Sequence, residues 1–195
     1  MLREKLNGYK IILASASPRR QQFFKDLDVD FEIRIREVEE VYPENLSAEN
    51  ITDFLAELKA DAFTGEIKPN EILITSDTIV WHGGKALGKP RDYNDAVRIL
   101  ESLSGETHEV ITSVCIRTAQ KSETFHDVTK VTFAHLSPDA ISYYLSSHQP
   151  FDKAGAYGIQ DWIGLTAVTK IDGSYTNVMG LPTEKVYHYL SNFKP

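Results

Sequence analysis

The chain has 195 residues, 42% hydrophobic and 25% charged, which is ordinary globular composition and enough for one domain or two closely packed lobes. Its formal net charge of −7 argues against a partner that is a nucleic acid polymer, which needs a basic footprint, while a small polyanion needs only a local cluster of cations. No stretch approaches the roughly 20 apolar residues that span a bilayer, and the charged start lacks the apolar core of a secretory signal. No membrane partner is expected, and the single cysteine, Cys115, which forbids an internal disulfide, fits a cytoplasmic protein.

Apolar spacing predicts alternating strands and helices. Ile11–Ala14 reads as a buried strand, Ser15–Pro18 as a loop and Arg19–Leu27 as a helix with Phe23, Phe24 and Leu27 on one side. Phe31–Ile35 alternates as a strand, and the acidic, Pro43-containing stretch after it as a loop. Ser47 is a candidate N-cap for a helix with Ile51, Phe54, Leu55, Leu58 and Ala62 on its apolar face. Ile72–Trp81 is a strand, turned at Gly83-Gly84 into a short partner. Asp92 caps a helix with Ala96, Val97, Leu100 and Leu103 inward, and Glu109–Thr118 and Glu123–Phe133 form a strand pair. Ser137-Pro138 opens another helix. Strands are expected at Leu165–Ile171 and Tyr175–Val178, and a last helix near Pro182. The pattern is mixed α/β.

Several segments carry residues suited to chemistry. Ser15-Ala16-Ser17-Pro18-Arg19-Arg20 follows a strand and opens a helix, where free N–H groups, hydroxyls and guanidinium forks can hold an anion; a capped helix with solvated arginines is the plainer alternative. Asp77 interrupts an apolar strand, so it needs a cation, a metal or strong donors beside it, or else backbone amides in a purely structural role. Gly88-Lys89-Pro90-Arg91 puts a lysine on a stiffened loop, where a solvated surface lysine is the commoner outcome. Asp152–Gln160 has a bare backbone around Lys153 and Gln160, suited to a close ligand or to tight packing. Glu39-Glu40 reads by itself as a solvated acidic loop, and the histidines lack zinc-ligand spacing.

The segments LASASPRR, SDTIV, GKPRD, SGETHEV, DKAGAYGIQ and GSYTNVMGLP, in that order across nearly the whole chain, resemble the Maf family of nucleoside triphosphate pyrophosphatases. The resemblance implies one Maf-like domain over residues 1–195, with a mixed twisted sheet flanked by helices and two lobes around a cleft, related to the inosine triphosphatases. It implies hydrolysis between the α- and β-phosphates with a divalent metal, Mg²⁺ or Mn²⁺, and a homodimer is compatible with it. Carried over by position, Ser15, Arg19 and Arg20 hold the triphosphate, and Asp77 is the base that activates water. Glu40, Lys59 and Lys89 are supporting charged residues, and Arg20, Thr78 and Gln160 bear on substrate choice; the mechanism expected from this set has the metal bridge the triphosphate and the carboxylates of Asp77 and Glu40.

The glutamine in GIQ resembles the branch acting on dTTP and UTP. An amide offers a donor beside an acceptor, matching the N3–H and carbonyl of uracil or thymine. Ala16 and Ser76 are small departures from the residues common in the family. Two alternatives are the same chemistry on other or modified nucleotides, and a nucleotide-binding regulator of septum formation.

Overall fold

The structure is a computed structural model and describes residues 2–193. Seven strands form a sheet in the order β2-β1-β3-β5-β6-β7, with β4 paired to β3 outside that path. The chain divides into two compact units, one of residues 2–77, 112–127 and 180–193, the other of residues 78–111 and 128–179. Among the described residues no helix is long and apolar enough to cross a membrane.

The first unit opens with a short helix, α1 (Leu2–Lys5), and then β1 (Lys10–Leu13), α2 (Pro18–Asp26), β2 (Phe31–Ile33) and α3 (Glu49–Asp61). β3 (Glu71–His82) begins here and continues into the second unit. β1 runs parallel to both neighbours, with Ile11 opposite Phe31 on one side and Ile72 on the other. β1 and the first half of β3, buried on both sides, read as apolar runs rather than alternations, while the edge strand β2 is largely exposed. Ile11, Leu13, Phe24, Ile72, Ile74 and Val114 form one core, and Ile12, Leu73, Ala56, Ala60, Phe63 and Cys115 another. Cys115 is thus a small core residue with a free, buried thiol. Glu71 is buried at the start of β3, where the Arg34 guanidinium donates to both its oxygens at 3.1 and 3.0 Å and holds its carboxyl below the usual range.

The second unit contains β4 (Lys85–Leu87), α4 (Tyr93–Leu103), parts of β5 (Thr107–Arg117) and β6 (Ser122–Phe133), α5 (Pro138–His148) and α6 (Trp162–Ala167). β7 (Val168–Asp172) and α7 (Tyr175–Val178) follow, and α8 (Thr183–Ser191) closes the chain within the first unit. Gly83 and Gly84 both have positive φ, 57° and 74°, the conformation a tight β3–β4 hairpin requires. Asp92 caps α4 by accepting from Asp95 N–H, and Ala96, Leu100 and Leu103 turn inward, with Val97 packed at the margin. The core of this unit also takes Val110, Phe133, Ile141, Tyr144 and Tyr157.

Three local expectations are corrected. Tyr175–Val178 is a helix, because Ser174 caps it, accepting from Asn177 N–H, and a buried Asn177 side chain donates to Val110 C=O and Thr129 Oγ1. The first half of the Leu165–Ile171 segment belongs to α6, and only Val168 onward is strand. Ser47 does not cap α3: the N-cap is Ala48, at φ 49°, with no side-chain bond, and Ser47, one residue earlier, meets the first turn through its carbonyl, which accepts from Asn50 N–H at 3.1 Å.

Candidate active site

The first unit gathers a charged cluster where the parallel pairing of β1 with β3 ends. Leu13 of β1 stands opposite Ile74 of β3; Ser15 follows the carboxyl end of β1, the usual place for a ligand in such sheets, and Asp77 lies on β3 three residues beyond the last residue paired with β1. Past β1 the chain turns at Ser15, whose hydroxyl accepts from Ser17 N–H at 3.3 Å and whose carbonyl accepts from Gln21 Nε2 at 3.2 Å. Ser17 caps α2, accepting from Arg20 N–H at 3.4 Å, and Pro18 occupies the first helical position. Both serine hydroxyls accept from the main chain and so keep their own O–H to donate.

Arg20 leaves this helix and two carbonyls help hold it: Nε donates to Gly180 C=O at 2.8 Å and one terminal nitrogen to Ser76 C=O at 3.0 Å. Burial pushes its pKa down, the charge of Asp77 opposes that, Arg19 adds to it, and Glu40 opposes it more weakly. The guanidinium therefore lies in the field of both carboxylates.

Asp77 is buried at 6% exposure. Its Oδ1 lies 2.6 Å from Lys59 Nζ, and the same ammonium is 2.9 Å from Glu40 Oε1. Lys59 comes from the last turn of α3, one turn beyond Leu55 and Ala56 on the buried face. Thr75 sets that helix against β3, donating from Oγ1 to Ala56 C=O at 2.6 Å. Glu40 is half-exposed yet ion-paired, so the simple solvated-loop expectation gives way to a place in the cluster. Thr75 has no role in the sequence reading; its signal is a threonine in an apolar run two residues before the buried aspartate.

The second unit carries the remaining predicted residues. Thr78 follows Asp77 along β3 and is half-buried; Lys89 and Gln160 are exposed on loops. The Lys89 loop is held by main chain, Gly155 N–H donating to Gly88 C=O at 3.1 Å. Gly155 has φ 70°, and a Cβ there would meet Val80 Cγ2 at 2.6 Å, so this position needs glycine. Lys153 pairs with Asp152 at 2.8 Å and more loosely with Asp161 at 3.9 Å.

The full sequence matches the family described as Maf-like protein over residues 10–193. The chain belongs to the Maf family. A Maf relative from Flavobacterium johnsoniae, named dTTP/UTP pyrophosphatase, is 66% identical over 98% of this chain and 98% of its own length. One of the same name from Flavobacterium psychrophilum is 62% identical, again over 98% of each chain. Among solved structures, the Ham1 protein of Staphylococcus aureus matches with a TM-score of 0.49 at 14% identity, covering 64% of this chain and 72% of that one.

The family's divalent metal can be tested against the residues present. Among the described residues no group of three or more His, Cys, Asp or Glu is placed to hold a metal. Asp77 and Glu40 nevertheless bring two carboxylate oxygens to one cation, the Lys59 ammonium. Two carboxylates, completed by water and phosphate oxygens, suit Mg²⁺, which rarely has an all-protein cage. The residues fit.

Proposed function

We propose that this chain is a nucleoside triphosphate pyrophosphatase that hydrolyses dTTP and UTP to the nucleoside monophosphate and pyrophosphate. The observation that carries the proposal is the buried Asp77 carboxylate on β3 sharing the Lys59 ammonium with Glu40. The name borne by relatives at 66% and 62% identity supports the substrate.

In this reading the phosphates lie at the N-terminus of α2, where the helix dipole and the hydroxyls of Ser15 and Ser17 favour an anion. Ser15 donates a hydroxyl, and Arg19 and Arg20 supply guanidinium charge. Asp77 accepts a proton from water, whose oxygen attacks the α-phosphorus; the bond to the bridging oxygen breaks and pyrophosphate leaves. Lys59 and Lys89 offset the charge that builds on the phosphoryl oxygens, the kind of placed donor worth roughly 3–4 kcal/mol. Asp77 and Glu40 would hold the divalent cation, Mg²⁺ or Mn²⁺, which when bound neutralises phosphate charge. Thr78 and Gln160 bear on the base, the Gln160 amide facing the N3–H and carbonyl of uracil or thymine.

The test is pyrophosphate release from dTTP, UTP, CTP, GTP, ATP and 7-methyl-GTP with Mg²⁺ or Mn²⁺. Turnover should be confined to dTTP and UTP, and Asp77→Asn should lose roughly 100-fold or more while staying folded. Turnover centred on another base would keep the chemistry and remove the substrate assignment. Asp77→Asn at wild-type turnover would remove the base.

A further inference from the structure

Gln160 occupies the third position of a turn over residues 158–161, closed by Asp161 N–H donating to Gly158 C=O at 3.0 Å. Tyr144, a fully buried tyrosine of α5, binds both ends of this turn with one hydroxyl. The oxygen accepts from Gly158 N–H at 3.0 Å and the hydrogen goes to Asp161 Oδ2 at 2.9 Å. Asp161 is the N-cap residue of α6, yet its side chain makes no capping bond. A carboxylate at a helix N-cap ordinarily accepts from the first turn; this one is spent on the tyrosine instead. Burial pushes the Tyr144 hydroxyl well up, so it stays protonated and keeps donating.

The geometry over Gly158 links this clamp to the glutamine. A Cβ on Gly158 would lie 2.6 Å from Asp161 Oδ2 and 3.1 Å from Gln160 Nε2. The carboxylate and the amide nitrogen therefore crowd the same small space above one glycine. A negative charge that near would favour the NH₂ end of the amide over its oxygen end.

That matters because a freely turning amide discriminates poorly. Uracil and thymine offer N3–H as donor beside a carbonyl acceptor; cytosine offers N3 as acceptor beside an amino donor. Rotating the glutamine amide by half a turn converts a match for one into a match for the other. We propose that Tyr144 and Asp161 are positioning residues that fix the orientation of the Gln160 amide, so that the site reads the uracil and thymine edge and rejects the cytosine edge. The role presupposes that Gln160 reads the base, as proposed for the substrate site.

The experiment compares kcat/KM for UTP and CTP, both carrying ribose, in Tyr144→Phe, Gly158→Ala, Gln160→Ala and the double variant Tyr144→Phe with Gln160→Ala. Tyr144→Phe removes one oxygen and keeps the ring in its core. It should lower the UTP-to-CTP preference by about tenfold, the factor one lost hydrogen bond allows, through KM more than kcat. Gly158→Ala has no positive φ to violate, and should lower the preference similarly by displacing both groups. In the Gln160→Ala background, the tyrosine change should add no further loss, since it acts through the glutamine. Should Gln160→Ala keep the full preference, base reading by Gln160 falls, and the positioning role with it. Should Gln160→Ala lose the preference while Tyr144→Phe and Gly158→Ala keep it, the clamp alone is overturned and the glutamine stands. A drop in thermal stability with the preference intact would likewise overturn it.

Discussion

His108 is 2% exposed, with Nε2 2.8 Å from the Tyr157 hydroxyl and Phe133 edge-on at 5.1 Å. Burial lowers its pKa to about 4, with a small further push from His82. The unfolded chain takes up a proton near pH 6.5, while the folded protein refuses it until about pH 4. Stability is therefore insensitive to this group above pH 6.5 and falls as the pH drops from 6.5 to 4, by about 3 kcal/mol in all. His108→Gln keeps a partner for Tyr157 and has nothing to titrate. Urea denaturation of the variant at stepped pH should show a shallower acid limb; an unchanged slope would assign the loss to other groups. Residue by residue, the sequence was most informative where chemistry conflicted with context. Asp77 stood out because a charge in an apolar strand demands a partner, and Lys59 supplies it at 2.6 Å. Glu40 gave no such signal. It lies on a polar loop, and only the fold brings Lys59 to it.

At the scale of elements, a side-chain-to-carbonyl bond sets α3 on β3 beside the Lys59–Asp77 pair. Thr75 Oγ1 donates to Ala56 C=O, both fully buried, and Lys59 extends from the same helix less than one turn further on. Thr75→Val keeps the shape and removes the donor, so stability should fall by about 1 kcal/mol. Turnover should fall several-fold as the helix loses its fixed height on the strand, with KM less affected; pyrophosphate release at saturating substrate measures this. A fall in stability with unchanged turnover would limit Thr75 to packing. Long periodic elements were legible: α4 and the β5–β6 pair lie where spacing puts them. Tyr175–Val178 was not, because aromatic and β-branched residues favour strand locally and the deciding contacts are long-range, from Asn177 to Val110 and Thr129. Ser47 misled for a simpler reason, since a positive φ at Ala48 cannot be read from an alanine.

For the whole molecule, the boundaries between the two units fall inside β3, β5 and β6 as well as before Gly180, rather than in flexible linkers. Each unit nevertheless has its own apolar core. Loss of either core frays strands that the other also uses, so unfolding should be a single transition. Both tryptophans, Trp81 and Trp162, belong to the second unit. Their fluorescence reports that unit, whereas far-ultraviolet circular dichroism reports both. The two midpoints in urea should coincide; separated midpoints would mean that the units unfold independently.

The bond from Gly155 N–H to Gly88 C=O joins two loops through backbone alone. Apart from Gly155 itself, such a tie does not depend on which side chains the loops carry, and it is intolerant of any change in how many residues they contain. Redesign of base preference has room at Gln160 and around Lys89 by substitution. Insertions or deletions between Leu87 and Asp92, or between Asp152 and Gln160, would break the tie without changing a single charged group.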